Sequence, residues 1–150
     1  MYLKDATIVV NAGNDGIKTD VEASTAEEGD ALTKDIYSGY MYIVNSSLDV
    51  TSVDDGISVN SYLDIENGNI NVVANGGAPS TITESSSDAA DGKGIKVGGI
   101  ALVDDAGNET DLASQTDYNY LLKIAGGTVT VNSNDDAVHS NGNIYLAGAP

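Results

Sequence analysis

The chain has 150 residues with 23 acidic side chains against six lysines, no arginine and no cysteine, for a net charge of −17. Charge of that sign excludes nucleic acid and anionic membrane surfaces as unaided partners, since both need basic contacts, and the missing cysteines exclude disulfides and thiolate metal sites. Apolar residues still make up 41 % of the chain, too many for a disordered acidic tail and enough for one modest core, so residues 1–150 are expected to form a single domain.

In chain order, short apolar alternations recur. Leu3 precedes Ile8 and Val10, and Ile17-Lys18-Thr19 follow. After an acidic, alanine-rich insertion at 20–40, Met41 and Ile43, Leu48 and Val50, and Ile57-Ser58-Val59 repeat the pattern. Leu63 and Ile65 then lead to Ile70 and Val72, and Ile95-Lys96-Val97 appear only after a Ser-, Gly- and Asp-rich insertion at 75–92. Beyond a polar insertion at 104–119, Leu122 and Ile124, Val129 and Val131, Val138-His139-Ser140, and Ile144 and Leu146 close the series. The period of two assigns these segments to strands with one buried face. No stretch has convincing helical periodicity, and no run approaches the ~20 apolar residues of a transmembrane helix.

Three segments align without a gap: TIVVNAGNDGI (7–17), SLDVTSVDDGI (47–57) and TVTVNSNDDAV (128–138). The offset from the end of one strand to the next buried position is five residues each time (3 to 8, 43 to 48, 65 to 70, 124 to 129). Equal offsets, three short strands per turn and Gly or Asn at the corners predict a right-handed parallel β-helix of about four rungs with three loop insertions. Such loops either decorate the surface or gather on a binding face.

Stacking gives the acidic turns a second meaning. Rungs ~4.8 Å apart would set Asp15, Asp55 and Asp136 in one column, with Asn14, Asp54 and Asp135 beside it. Unpaired carboxylates at that spacing oppose one another's ionisation, and a hard cation such as Ca²⁺, which takes six to eight oxygen ligands, would relieve them. With Asp91 of the interrupted copy, these residues form the candidate calcium set. The alternative is a plain turn role, for which Asn-Asp-Gly and Asp-Asp-Gly are well suited.

The blocks DGIKTD…GYMYI, VDDGISVNSYLDIENGNINVV, DGKGIKVGG and GGTVTVNSNDDAVHSNGNIYLAG resemble a bacterial cell-surface family of carbohydrate-binding parallel β-helices that bind calcium and polygalacturonic acid. The resemblance covers most of residues 5–148 and implies an extracellular, calcium-loaded module recognising acidic polysaccharide. Its metal ligands would fall among Asp15, Asp54, Asp55, Asp135 and Asp136. This chain holds fewer rungs than is usual there, and its 104–119 insertion interrupts a place where members often continue directly. Tyr37, Tyr40, Tyr42, Tyr118 and Tyr120, in or beside the insertions, either stack on sugar rings or cover the core. His139, the sole histidine, is expected to face outward, in contact with metal or sugar or simply in solvent.

Pectin-degrading enzymes share the β-helix, but a pectate lyase needs a strong base, usually the arginine this chain lacks, and the Gly-His-Gly and Arg-Ile-Lys elements of polygalacturonases are absent. Carboxylates recurring on every regular rung read as structure, so the expectation is a non-enzymatic protein. A structural alternative also stands. The segment YLKDATIVV is built like the internal YLLKIAGGTVTV, and neither end shows a polar cap. Head-to-tail stacking of copies would then give a calcium-controlled filament, unless 1–150 is a fragment whose missing rungs do the capping.

Overall fold

A computed structural model describes residues 1–20, 39–77, 92–99, 101–103, 109–111 and 120–148. Among these residues every regular element is a β-strand. The first group is β1 (Tyr2–Lys4), β2 (Thr7–Ala12) and β3 (Ile17–Thr19); the second is β4 (Tyr40–Val44), β5 (Ser46–Ser52) and β6 (Ile57–Val59). The third is β7 (Tyr62–Ile65), β8 (Gly68–Ala74) and β9 (Ile95–Val97), followed by β10 (Ala101–Val103) and β11 (Glu109–Asp111). The last strands are β12 (Leu121–Ile124), β13 (Thr128–Ser133), β14 (Val138–Ser140) and β15 (Asn143–Leu146).

Corresponding strands of successive groups stack into three parallel sheets, β1-β4-β7-β12-β15, β2-β5-β8-β13 and β3-β6-β9-β14. The register follows the sequence repeats: Ile8 pairs with Leu48, Leu48 with Ile70, and Ile70 with Val129. Met41 pairs with Leu63, and Leu63 with Leu122. No single group can bury its apolar face, so the core is a column inside the stack. Met41, Ile43, Val50, Ile57, Leu63, Ile65, Ile70, Ile95 and Leu122 are fully enclosed there. The result is an all-β solenoid-like arrangement, as the offsets predict.

Two local devices set the spacing. At the corner between the first two sheets the chain turns through positive φ at Asp5 (50°) and Asn45 (47°), a conformation that Asp and Asn tolerate better than most residues. The Asn45 amide donates to Asp5 Oδ1 at 2.7 Å, tying one corner to the next. At the acidic corner Gly16, Gly56 and Gly94 lie in a column. The Gly16 N–H donates to the Asp55 carbonyl, that of Gly56 to the Lys93 carbonyl and that of Gly94 to the Asp136 carbonyl, at 2.8, 2.8 and 2.9 Å.

The stretch 104–119 is not a simple polar loop. Its residues Glu109–Asp111 form β11, antiparallel to β10, so a small hairpin opens the insertion. The insertions at 20–40 and 75–92 lie for the most part outside the described residues, as do Tyr37, Asp91 and Tyr118.

Candidate functional site

The acidic turns hang on buried hydroxyls. Ser52 and Ser133 are inward-facing last residues of β5 and β13, and each donates to the carbonyl two residues ahead, Asp54 at 2.9 Å and Asp135 at 3.0 Å. Each peg ties the end of its strand to the turn that carries the paired aspartates.

The column of carboxylates is interrupted. Because Gly56 pairs with Lys93 and Gly94 with Asp136, it reads Asp15, Asp55, Lys93, Asp136. The chain re-enters the stack after the 75–92 insertion with Lys93-Gly94-Ile95, which puts lysine where the other copies have aspartate. Asp15, Asp55 and Asp136 share the expected column, but Lys93 divides it into two parts.

In the first part, Asp15, Asp54 and Asp55 each offer a carboxylate oxygen within 4.8 Å of the others. Asn14 belongs to the same level, its carbonyl facing the Asp54 N–H at 3.4 Å. Asp55 is buried, and its Oδ1 accepts from the Lys93 backbone N–H at 2.9 Å. Lys18 reaches Asp15 and Lys96 reaches Asp55, each at 3.2 Å. The hydrogen bond to Asp15 is the main influence holding the Lys18 ammonium above its ordinary range.

In the second part, Lys93 grips Asp135 and His139 Nδ1 lies 3.0 Å from Asp136 Oδ2. His139 faces outward, as expected, with Nε2 3.1 Å from Asn141 Oδ1. Here each carboxylate has a basic partner from the chain itself. Lys93 sits at the corner itself, whereas His139 shares one outward-phase row of the third sheet with Lys18, Ser58 and Lys96. The signal was present in the repeats, since that row is the residue following [IV] in every copy.

The Lys93 hydrogen bond is also the main cause that holds the Asp135 carboxyl below its ordinary 3.8, and the same bond raises Lys93 above 10.5. A depressed carboxyl adds stability above its unfolded value and loses it as pH falls through the folded value; a raised ammonium does the reverse at alkaline pH. Lys93→Met is therefore expected to flatten the acid limb of melting temperature against pH and to move the Asp135 carbon-13 titration back towards 3.8. An unchanged titration would show that Lys93 does not control this carboxyl.

The outward face of the five-stranded sheet carries a different chemistry. Along one row the register places Tyr2, Tyr42, Asp64, Lys123 and Tyr145. The adjacent row holds Tyr40 and Tyr62. The rings of Tyr40 and Tyr62 are 5.1 Å apart, Tyr42 and Tyr62 5.6 Å, and Tyr2 and Tyr42 6.4 Å. The Tyr62 hydroxyl donates to Asp64 Oδ2 at 3.0 Å and Lys123 donates to the same oxygen at 2.8 Å. Burial, then the bond to Asp64, keeps the Tyr62 phenol above its usual range.

Of the expected sugar-contact residues, the structure places Tyr40 on this face and His139 on another sheet. Tyr120 is fully enclosed in the core, so its ring offers no face to a ligand. It precedes Leu122 by two and takes the inward phase of that strand. The expectations did not include Tyr2, Tyr62 and Tyr145 as a group with Tyr42, because the repeats were aligned on their inward positions.

A rigid parallel stack with an aromatic face, a polar corner and an acidic ledge is a scaffold for binding along a surface. The chain belongs to a carbohydrate-binding family: residues 1–149 match the family described as "Carbohydrate-binding domain-containing protein". No curated protein and no solved structure matches the chain. Among the described residues no helix is long and apolar enough to cross a membrane.

Proposed function

We propose that this chain is a non-catalytic, extracellular module that binds an acidic, polygalacturonate-like polysaccharide with the help of calcium. The observation that carries the calcium part is the meeting of Asp15, Asp54 and Asp55 within 4.8 Å. Lys18 and Lys96 reach two of these three carboxylates, Asp15 and Asp55. An all-oxygen, acidic donor set fits a hard cation. Asp15, Asp54 and Asp55 would hold the ion, with the Lys18 and Lys96 ammonium groups displaced from them. Asp135 and Asp136 fit less well, because among the described residues they do not gather with a third such ligand as Asp15, Asp54 and Asp55 do. When bound, calcium supplies the positive charge that lets a chain of net −17 approach a polyanion.

The family match supports the sugar partner. Acidic side chains distributed turn by turn, each next to a basic group or a neighbouring carboxylate, support a non-catalytic role. A right-handed coil of about four rungs is the reading of the stack, because parallel crossover connections are right-handed in nearly all cases.

The test is retardation of the protein in gels containing polygalacturonate, run with calcium and with EDTA. Strong retardation with calcium and little with EDTA is expected. Equal mobility in the two conditions would contradict the calcium dependence.

Calcium-stabilised head-to-tail assembly is the second reading. It is favoured by Ile144 and Leu146, which occupy inward positions of β15 yet are 46 % and 66 % exposed. Ala137 weighs against it. A Cβ on Gly16, Gly56 or Gly94 would lie 2.5, 2.5 or 2.7 Å from the carbonyl oxygen of the turn below. Ala137 holds the same place in the last turn and already carries that atom, so a copy stacked beneath would have to open the turn.

A further inference from the structure

We infer that the outward face of the five-stranded sheet is the sugar-contact surface, and that its ligand is a pyranose polymer lying across the strands along the axis of the stack. The inference rests on the carbohydrate-binding reading and assigns it to particular residues.

Aromatic composition comes first. The chain has eight tyrosines and neither Phe nor Trp. Of the six tyrosines among the described residues, Tyr120 is in the core, and the other five share the outward side of this one sheet. Water-facing rings on a sheet cost hydration without adding to the core, so gathering them on one of three available faces calls for a partner. Tyr2 and Tyr145, at the two ends of the row, are 62 % and 53 % exposed.

Geometry and polarity then select the partner. Strands ~4.8 Å apart present side chains at roughly the width of a pyranose ring, so a polymer along the axis meets a new residue at each strand. A pyranose has a C–H face that packs on tyrosine and a rim of hydroxyls that needs acceptors and donors. The middle of the row supplies both, in the Asp64 carboxylate and the Lys123 ammonium. Asp64 Oδ2 is already taken by Tyr62 and Lys123, whereas Asp64 Oδ1 is buried with no hydrogen-bond partner. Buried acceptors are rarely left so. A sugar hydroxyl that reached this oxygen would complete it. A lipid or an apolar peptide would use the rings but would leave this oxygen unpaired.

The test measures binding to polygalacturonate with calcium, and to a soluble neutral β-glucan, by affinity electrophoresis. The proteins are the wild type, Tyr2→Ala, Tyr42→Ala and Tyr42→Phe, each checked for an unchanged strand spectrum and melting temperature. Tyr2→Ala lies at an exposed edge and serves if Tyr42→Ala does not fold. Affinity about tenfold weaker for the alanine variants, with Tyr42→Phe near wild type, is the expected result. Folded alanine variants that bind like the wild type would overturn this surface while leaving the carbohydrate-binding reading intact. Binding of the neutral glucan alone, lost in Tyr42→Ala, would support this surface and overturn the acidic specificity. No binding of either polymer by the wild type would overturn both.

Discussion

Leu63→Ala is expected to destabilise the protein by about 2–5 kcal/mol, read as a fall in the denaturant midpoint with an unchanged slope. Leu63 is fully enclosed and sits in the central strand of the five-stranded sheet, paired above with Met41 and below with Leu122. Truncation removes three carbons from a column whose neighbours are fixed by parallel ladders on both sides, so the cavity cannot close by a simple shift. Ile144→Ala makes a useful comparison, because that side chain has the same inward phase but is 46 % exposed on the edge strand. Its cost should be well under half that of Leu63→Ala. Equal costs would mean that the core does not run through the stack as described.

Gly56→Ala should also be destabilising, by about 1–3 kcal/mol and towards the upper figure. In most places a Gly-to-Ala change that the backbone accepts is stabilising by about 0.4–1 kcal/mol. Here the added carbon would press on the Val72 side chain and lie 2.5 Å from the Gly94 carbonyl oxygen. That oxygen belongs to a backbone held by its own ladder, so relief requires the two turns to separate. The reverse change at the open edge, Ala137→Gly, should lack this penalty. A stabilising Gly56→Ala, seen as a raised melting temperature, would refute the close stacking of the acidic turns.

Most of the stack could be read from the sequence. The offset of five residues from Ile43 to Leu48, Ile65 to Ile70 and Ile124 to Val129 has a direct structural counterpart, since those segments pair in register. Inward positions are constrained by burial, and burial leaves a period of two that survives in every copy. The acidic corner was legible only in part. Asp15, Asp54 and Asp55 come together as the repeats implied, but the 75–92 insertion hides that Lys93 fills the aspartate place in its own copy. For Tyr120, nearness to an insertion leaves sugar contact and core open, and its phase with Leu122 is the better guide. The tyrosine face was hardest to see. It depends on which outward residues become neighbours, and Tyr42, Asp64 and Lys123 are brought side by side only by strand pairing.

The most direct test of the account is a calorimetric calcium titration of the chelator-treated protein, beside Asp54→Asn. Asp54 is chosen because it belongs to the three-carboxylate ledge. The account predicts stoichiometric calcium binding by the wild type and affinity at least about tenfold weaker in Asp54→Asn, since one of three anionic ligands has become neutral. Absence of calcium binding in the wild type, or full affinity in Asp54→Asn, would contradict it. The acidic turns would then be corners balanced by the chain's own lysines and histidine.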